Sequence, residues 1–226
     1  ADGSLDGVSY VYCYEPSDGT VLWRRAFDGL DEPGFYDAIV LLPDLNGDGV
    51  AEVVATTSRH GWKKLENRGC GTIRLLNPRT GEDLKVVDFQ QRTDSGVFGD
   101  LDGDGKDEVV IDSWDGTAGY LRAFGKNLRP KGLFRREGGR WTPHAICDLD
   151  GDGRSEVVAV FEVGEWFEER SSLVILDHKL ERVLWEDGLD GKHIPRVMVV
   201  DLELDGTRQI LAVSGSRLIA LRPRPN

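Results

Sequence analysis

The feature that most constrains this chain is a nine-residue acidic segment that occurs four times. The copies read DLNGDGVAE, DLDGDGKDE, DLDGDGRSE and DLELDGTRQ. They begin at Asp44, Asp100, Asp148 and Asp201, with spacings of 56, 48 and 53 residues. A recurrence of about 40 to 55 residues is typical of propellers and repeat arrays, in which each unit packs on its neighbours.

The segments around each copy predict short β-strands. An apolar or alternating run precedes each acidic segment, a β-branched run such as EVVIDS or EVVAVF follows it, and turn-linked runs such as TIRLLNPRTGEDLKVVDF complete the unit. Four short strands per repeat indicate an all-β propeller of four-stranded antiparallel blades. We predict a single region over 1–226, with blades at 36–90, 93–137 and 141–187 and partial blades at 1–28 and 193–223.

The two partial blades allow two interpretations of how the ring closes. Together they hold five predicted strands where one blade needs four. The strand around Val21 to Phe27 could complete the last blade and close a ring of four. Alternatively, about four blades form an arc of a larger ring, completed by further sequence or by another copy of the chain. The strong curvature of a four-bladed ring favours the arc.

Oxygen donors fall on alternate positions of the first three loops. An extended loop points every second side chain inward, and a donor set without His or Cys favours Ca²⁺ over zinc or copper. A glycine after the third donor, at Gly49, Gly105 and Gly153, is expected to close each loop with a positive φ. The predicted donors, with a backbone carbonyl at the fourth place of each set, are Asp44, Asn46, Asp48, Val50 and Glu52; Asp100, Asp102, Asp104, Lys106 and Glu108; and Asp148, Asp150, Asp152, Arg154 and Glu156.

The fourth loop departs from this pattern. It retains Asp201, Glu203 and Asp205, but its last donor position is Gln209 and Leu204 replaces a glycine. We expect weak metal binding or none there. Three structural Ca²⁺ ions in the other loops would bring the formal charge from −12 to −6. Because unneutralised carboxylates repel, metal binding is expected to couple to folding.

The segment DLDGDGKDEVV, preceded by Val97-Phe98-Gly99, resembles the FG-GAP or VCBS repeat, as do its echoes. That repeat occurs in integrin α-subunit propellers, propeller lectins and propeller-type polysaccharide lyases. The hairpins LLNPRTGEDLKVVDF and YCYEPSDGTVLWRRAF are similar to those of quinoprotein-like propellers. The resemblance implies a seven- or eight-bladed ring, Ca²⁺ between the first and second strands of each blade, and ligands bound on the opposite face.

Aromatic and charged residues are predicted on that opposite face. Indole rings on loops could stack on sugar rings, with nearby cations for hydroxyls or carboxylates; alternatively, the tryptophans cap blade edges and seal grooves between blades. His144 and His193 could act as acid or base, although a structural role is favoured. The predicted ligand-binding residues are Trp62, Trp114, Trp141, Trp166, Arg59, His60 and Arg140.

Charge and composition exclude several classes. The net charge of −12 argues against nucleic acid, and the sequence has no run of about 18 apolar residues and no recognisable leader. Cys13, Cys70 and Cys147 lack metal or redox spacing, and Cys147 is expected to be a small buried residue.

We predict a calcium-stabilised module that binds a glycan or protein outside the cytosol, at a cell surface, in the periplasm or in the medium. A polysaccharide lyase or quinoprotein-like enzyme is the first alternative, without assigned catalytic residues. A structural subunit of a larger assembly, such as a homo-oligomer, is the second.

Overall fold

A computed structural model describes residues 9–27, 35–60, 71–89, 91–164, 170–189, 196–214 and 216–222. These residues form seventeen β-strands and one short 3-10 helix, η1 (Lys126–Leu128). Within these ranges no helix is long and apolar enough to span a bilayer. The predicted all-β fold is confirmed.

The strands form five antiparallel sheets in which each strand pairs with its neighbours in the sequence. The three complete sheets have four strands each, and the sheets at the two ends of the described chain have two and three. The strands are β1 (Ser9–Tyr14) and β2 (Val21–Phe27); β3 (Phe35–Leu41), β4 (Val53–His60), β5 (Gly71–Leu76) and β6 (Asp83–Phe89); β7 (Gly96–Gly99), β8 (Glu108–Trp114), β9 (Ala118–Gly125) and β10 (Arg129–Glu137); β11 (Gly139–Cys147), β12 (Glu156–Val163), β13 (Arg170–Leu176) and β14 (Val183–Leu189); and β15 (Arg196–Val200), β16 (Gln209–Ser214) and β17 (Arg217–Leu221).

Burial within each sheet falls from the middle strands to the fourth strand. In β8 and β12 nearly every side chain is buried, whereas in β14 only the last one is. The middle strands are covered on both faces because a neighbouring sheet packs on each side. This explains why EVVIDS and EVVAVF are continuous apolar runs rather than alternating ones.

Consecutive sheets stack face to face around their first strands. β3 lies next to β7, β7 next to β11, and β11 next to β15. One core, with Leu121, Trp141 and Phe161, lies between the second and third complete sheets, and a second core, with Leu45, Ile73 and Ile111, lies between the first and second. A third core, with Val160 and Ile210, joins the third sheet to the sheet of β15–β17. These sheets are therefore the successive blades of a β-propeller.

The two-stranded sheet packs on the face of the first complete blade that is turned away from the second blade. Val11 and Trp23 contact Val53 and Leu76, and the Trp23 indole Nε1 donates a hydrogen bond of 2.8 Å to the Pro78 carbonyl. Strand β2 pairs with β1 and, in the described part of the chain, with no strand of the β15–β17 sheet. The described strands therefore show no pairing through β2 that would close a four-bladed ring.

Candidate metal centre

The four acidic loops occupy equivalent places in the fold. Each joins the first strand of a sheet to the second, so all four lie at the same end of the blades. We name them the first loop (44–52), second loop (100–108), third loop (148–156) and fourth loop (201–209).

The leading aspartate organises the backbone of every loop. The Asp100 carboxylate accepts hydrogen bonds from the N–H groups of Gly103 and Gly105, both at 2.8 Å. Asp44 and Asp148 accept the same pair of bonds in their own loops. In the fourth loop, Asp201 accepts from Asp205 and Gly206. The first aspartate is therefore needed for the loop conformation as well as for any ion.

The ninth residue of each loop ties the loop back to its second residue. Side-chain oxygens of Glu52, Glu108, Glu156 and Gln209 accept the N–H of Leu45, Leu101, Leu149 and Leu202, at distances of 2.7 to 3.0 Å. In the first three loops this leucine is buried in the core between blades, whereas Leu202 is exposed. The hydrogen bond therefore couples each of those three loops to the packing of its blade.

Two positions of each loop have a left-handed backbone. The predicted positive φ at Gly49, Gly105 and Gly153 is observed, at 83°, 80° and 87°. The glycine two residues earlier in each of these loops is also left-handed, with φ between 77° and 81°. In the fourth loop this earlier position is Leu204, with φ 57°. A leucine is strained in this region because its Cβ approaches the backbone.

Carboxylates converge in two of the loops. Ligand oxygens of Asp100, Asp102 and Glu108 lie within 4.8 Å of one another, and so do those of Asp148, Asp150 and Glu156. These are the first, third and ninth positions predicted from the sequence. In the first loop the third position is Asn46, whose amide donates a hydrogen bond to Glu52.

The aspartate at the fifth position makes a hydrogen bond that the sequence analysis does not predict. The carboxylates of Asp48, Asp104 and Asp152 each accept the N–H of the residue two places on, namely Val50, Lys106 and Arg154. Asp104 also pairs with the Lys106 ammonium at 2.8 Å. The predicted third donor, at the fifth position, thus orients the residue whose carbonyl is predicted as the next donor.

Burial raises the pKa of two of the ninth-position acids, Glu156 and Glu108. Desolvation raises the pKa of Glu156 to about 7, with the nearby Asp150 and Asp148 charges acting in the same direction. Desolvation also raises the pKa of Glu108, but there the Lys131 ammonium counteracts it. An oxygen-rich cluster that resists ionisation without a counter-ion suits a hard divalent cation.

The first three loops supply the kind of oxygen donors that a hard divalent cation prefers, whereas the fourth loop departs from that set. Each of the three supplies carboxylate or amide oxygens on alternate positions and no softer ligand. In the fourth loop the ninth side chain presents an amide group instead, and the Gln209 Nε2 is buried with no hydrogen-bond partner among the described residues. Arg222 places its guanidinium 3.2 Å from both Glu203 and Asp205. Those acids already have a counter-charge.

Neighbouring loops are hydrogen-bonded to each other. The Asp44 N–H donates to the Asp107 carboxylate at 2.8 Å, and the Asp107 N–H donates to the Asp44 carbonyl at 2.9 Å. The Ser155 N–H donates to the Leu101 carbonyl at 3.1 Å. Sequence reasoning missed Asp107 because it occupies an even position of the loop and points to the preceding blade instead of inward.

The opposite end of the blades brings together two predicted ligand-binding residues. Trp114 ends β8 and Arg140 lies near the start of β11, with the guanidinium carbon 6.0 Å from the indole ring centre. Trp141, predicted on a loop, instead lies within β11 and is only 1% exposed, packed against Phe134 and Phe161. Trp141 is therefore too buried to contact a ligand. Because side chains alternate along β11, its neighbour Arg140 points the other way and is only half-buried.

The other predicted residues of that face are only partly described. The backbone of Arg59 and His60 ends β4, next to β3. Trp62, Trp166 and His193 lie outside the described residues. His144 occupies a bulge of β11 where burial lowers its pKa, and within the described part of the chain its Nε2 has no hydrogen-bond partner. Cys147 is partly buried, and desolvation raises the pKa of its thiol to about 12, so it is an unreactive thiol rather than a nucleophile.

Comparisons with known proteins identify the repeat. Residues 44–111 match the model of the FG-GAP-like repeat, and this confirms the predicted resemblance for that part of the chain. The chain is thus a β-propeller region that carries an FG-GAP-like repeat. The crystal structure of exotype rhamnogalacturonan lyase YesX is similar over 95% of this chain and 49% of its own, with 17% identity and a TM-score of 0.47. The chain spans about half the length of that lyase chain. The search of curated proteins found no match.

Proposed function

We propose that the chain is a calcium-stabilised β-propeller module that binds a glycan or a protein on the face opposite its acidic loops. The observation that carries the metal part is the convergence of carboxylate oxygens at the same loop positions in successive blades. Calcium bound there would neutralise acids that the fold holds close together. It would also link the first and second strands of a blade through side chains already hydrogen-bonded to the loop.

The role of calcium in this proposal is structural. The residues that would hold it are also those that shape the loop, and Leu45, Leu101 and Leu149 anchor these loops in the cores between blades. Loss of the ion should therefore loosen the packing between blades. The expected site is outside the cytosol, where calcium is abundant enough to fill sites of modest affinity.

Chelation tests the metal part of the proposal. Each site held at about 100 times its dissociation constant would contribute about 2.7 kcal/mol, so two or three such sites would contribute about 5 to 8 kcal/mol in total. Excess chelator should then lower the melting temperature by about 10 °C or more for a chain of this size. Calcium should restore it, and magnesium at the same concentration should restore less. An unchanged melting curve in chelator would rule out structural calcium.

The ligand part rests on the pairing of Trp114 with Arg140. A partly exposed indole beside a guanidinium offers a stacking surface and donors for hydroxyl or carboxylate groups. Binding to a glycan array in calcium should weaken at least tenfold in Trp114→Ala. Trp185→Ala is the matched control, because Trp185 is also partly exposed but lies on the fourth strand of its blade. Equal loss in both variants, or no loss in either, would contradict this site.

The enzyme alternative predicts a different observation. A polysaccharide lyase forms an unsaturated uronate product that absorbs in the ultraviolet, whereas a binding module retains the polymer unchanged. Incubation with acidic pectic polymers, followed by absorbance, separates these outcomes.

A further inference from the structure

A lysine from the fourth strand of its blade sits in the second loop. The Lys131 ammonium lies 2.6 Å from the Asp102 carboxylate and 2.7 Å from that of Glu108. These are two of the three acids that converge in this loop. The Glu108 side chain is only 2% exposed, so this contact neutralises a buried charge.

The backbone places Lys131 there through a β-bulge. In the pairing of β9 with β10, Pro130 faces Phe124 and Gly132 faces Ala123, which leaves Lys131 without a partner. A bulge adds one residue to a strand and redirects its side chain. The lysine stem then passes over Gly125, where an added Cβ would lie 3.1 Å from the lysine Cε and 3.4 Å from the Glu108 carboxylate.

The same bulge recurs in three other sheets, but with an apolar residue. The pairing skips Leu22 in β2, Leu84 in β6 and Leu184 in β14, and all three leucines are exposed. The residue at the Gly125 position differs too, because Asn77 and Asp177 occupy the equivalent places after β5 and β13. The second blade alone among these combines a cationic bulge residue with a glycine that gives it room.

In the third blade the residue at the bulge of the fourth strand is a leucine instead of a lysine. Glu156 accepts the Leu149 N–H and, among the described residues, pairs with no cationic side chain. Its blade carries Leu184 at the bulge. The two ninth-position glutamates therefore differ, because among the described residues only Glu108 contacts a cationic side chain.

We propose that Lys131 is a tethered cation that takes the place of a divalent ion in the second loop. Calcium then binds the first and third loops, giving two ions per chain where the sequence predicts three. The Arg222 contacts of the fourth loop are a second case of an internal counter-charge. This inference rests on the proposed calcium binding and specifies which loops perform it.

Ion counting by calorimetry and terbium luminescence tests the proposal on the whole chain. The native protein should bind two ions, and Lys131→Leu, which installs the residue of the other blades, should bind a third at least tenfold more tightly than the native second loop does. Lys131→Arg should keep the count at two. Lys85→Leu, which removes an exposed lysine from β6, should also leave it at two.

Gly125→Ala provides an independent test that keeps the lysine. The added Cβ crowds the lysine stem, so the second loop should gain calcium affinity in this variant as well. If Lys131→Leu unfolds without calcium, its recovery by calcium with three bound ions supports the inference. Three equivalent ions in the native protein, with no change in Lys131→Leu, would overturn the tethered-cation role while leaving calcium binding intact. No calcium binding to any form would overturn the proposed function itself.

Discussion

The second and third loops present the same acids on the same backbone, but the repulsion between their carboxylates is compensated differently. In the second loop the Lys131 ammonium contacts Asp102 and Glu108, whereas the third loop leaves Glu156 with a backbone hydrogen bond and an elevated pKa. A repeat motif thus specifies the shape of the loop, whereas a residue on a distant strand determines whether a cationic side chain neutralises the acids of that loop. Identical motifs in one chain therefore need not bind the same number of ions.

The same two blades differ at a second buried position. Of the substitutions compared between these blades, the one at this position has the largest expected effect on the free energy of unfolding. Asp112 in β8 and Val160 in β12 both lie four residues after the ninth loop residue. Burial raises the pKa of Asp112 to about 7, although its carboxylate accepts the N–H groups of Asp94 and Ser95. Because the folded state holds this proton more tightly than the unfolded chain does, the contribution of Asp112 to stability is greatest below about pH 4.

Stability relative to Asp112→Asn should consequently fall as the pH rises from about 4 to about 7. The expected loss is on the order of 2–4 kcal/mol for a shift of about three pH units. Denaturant unfolding of both proteins across this range, in chelator, measures it. A difference between the two proteins that is constant with pH would show that Asp112 is ionised throughout and that the second blade has no such proton.

Charge deletion at the ninth position should act with opposite sign in the two loops when calcium is absent. Glu108→Gln removes the partner of Lys131 and should destabilise the chain by about 1–2 kcal/mol. Glu156→Gln removes repulsion with Asp148 and Asp150 and should stabilise it by about 1 kcal/mol. Unfolding in urea plus chelator gives both values. Effects of the same sign and size would show that the ninth-position glutamates of the two loops have the same electrostatic environment, contrary to this expectation.

The fourth loop offers the smallest expected effect and a control for loop shape. Leu204→Gly relieves a left-handed leucine that is 88% exposed, so we expect a gain of about 0.5–1 kcal/mol. Gly151→Ala introduces the opposite change in the third loop, where the added Cβ meets no atom within 4 Å, and should cost about 1 kcal/mol. Thermal unfolding of both variants in chelator measures these effects. A destabilising Leu204→Gly would mean that the leucine makes compensating contacts.

Much of the fold could be predicted from the sequence because each repeat contains residues that mark where its turns and strands begin and end. The acidic turns, the glycines after them and the β-branched runs mark the first two strands of each blade, and the structure confirms the propeller of four-stranded antiparallel blades. Trp141 is predicted on a loop, whereas β11 begins at Gly139 and alternation directs the indole into the core between blades, which agrees with the alternative in which tryptophans seal these grooves.

The candidate site was less predictable for a physical reason. Lys131 lies 23 residues beyond Glu108, and only the bulge in β10 and the missing side chain at Gly125 bring it to the loop. Arg222 and Asp107 likewise reach their partners through packing between strands and blades. A motif defines donors within nine residues, but the counter-charge comes from tertiary structure.

Hydrogen exchange of the second and third loops, with calcium and after chelation, shows whether the two loops depend on a bound ion to the same extent. We expect the amides of residues 148–156 to lose protection when calcium is removed, whereas those of residues 100–108 keep theirs because Lys131 remains in place. Equal loss of protection in both loops would show that the second loop also depends on a bound ion and that Lys131 does not replace it.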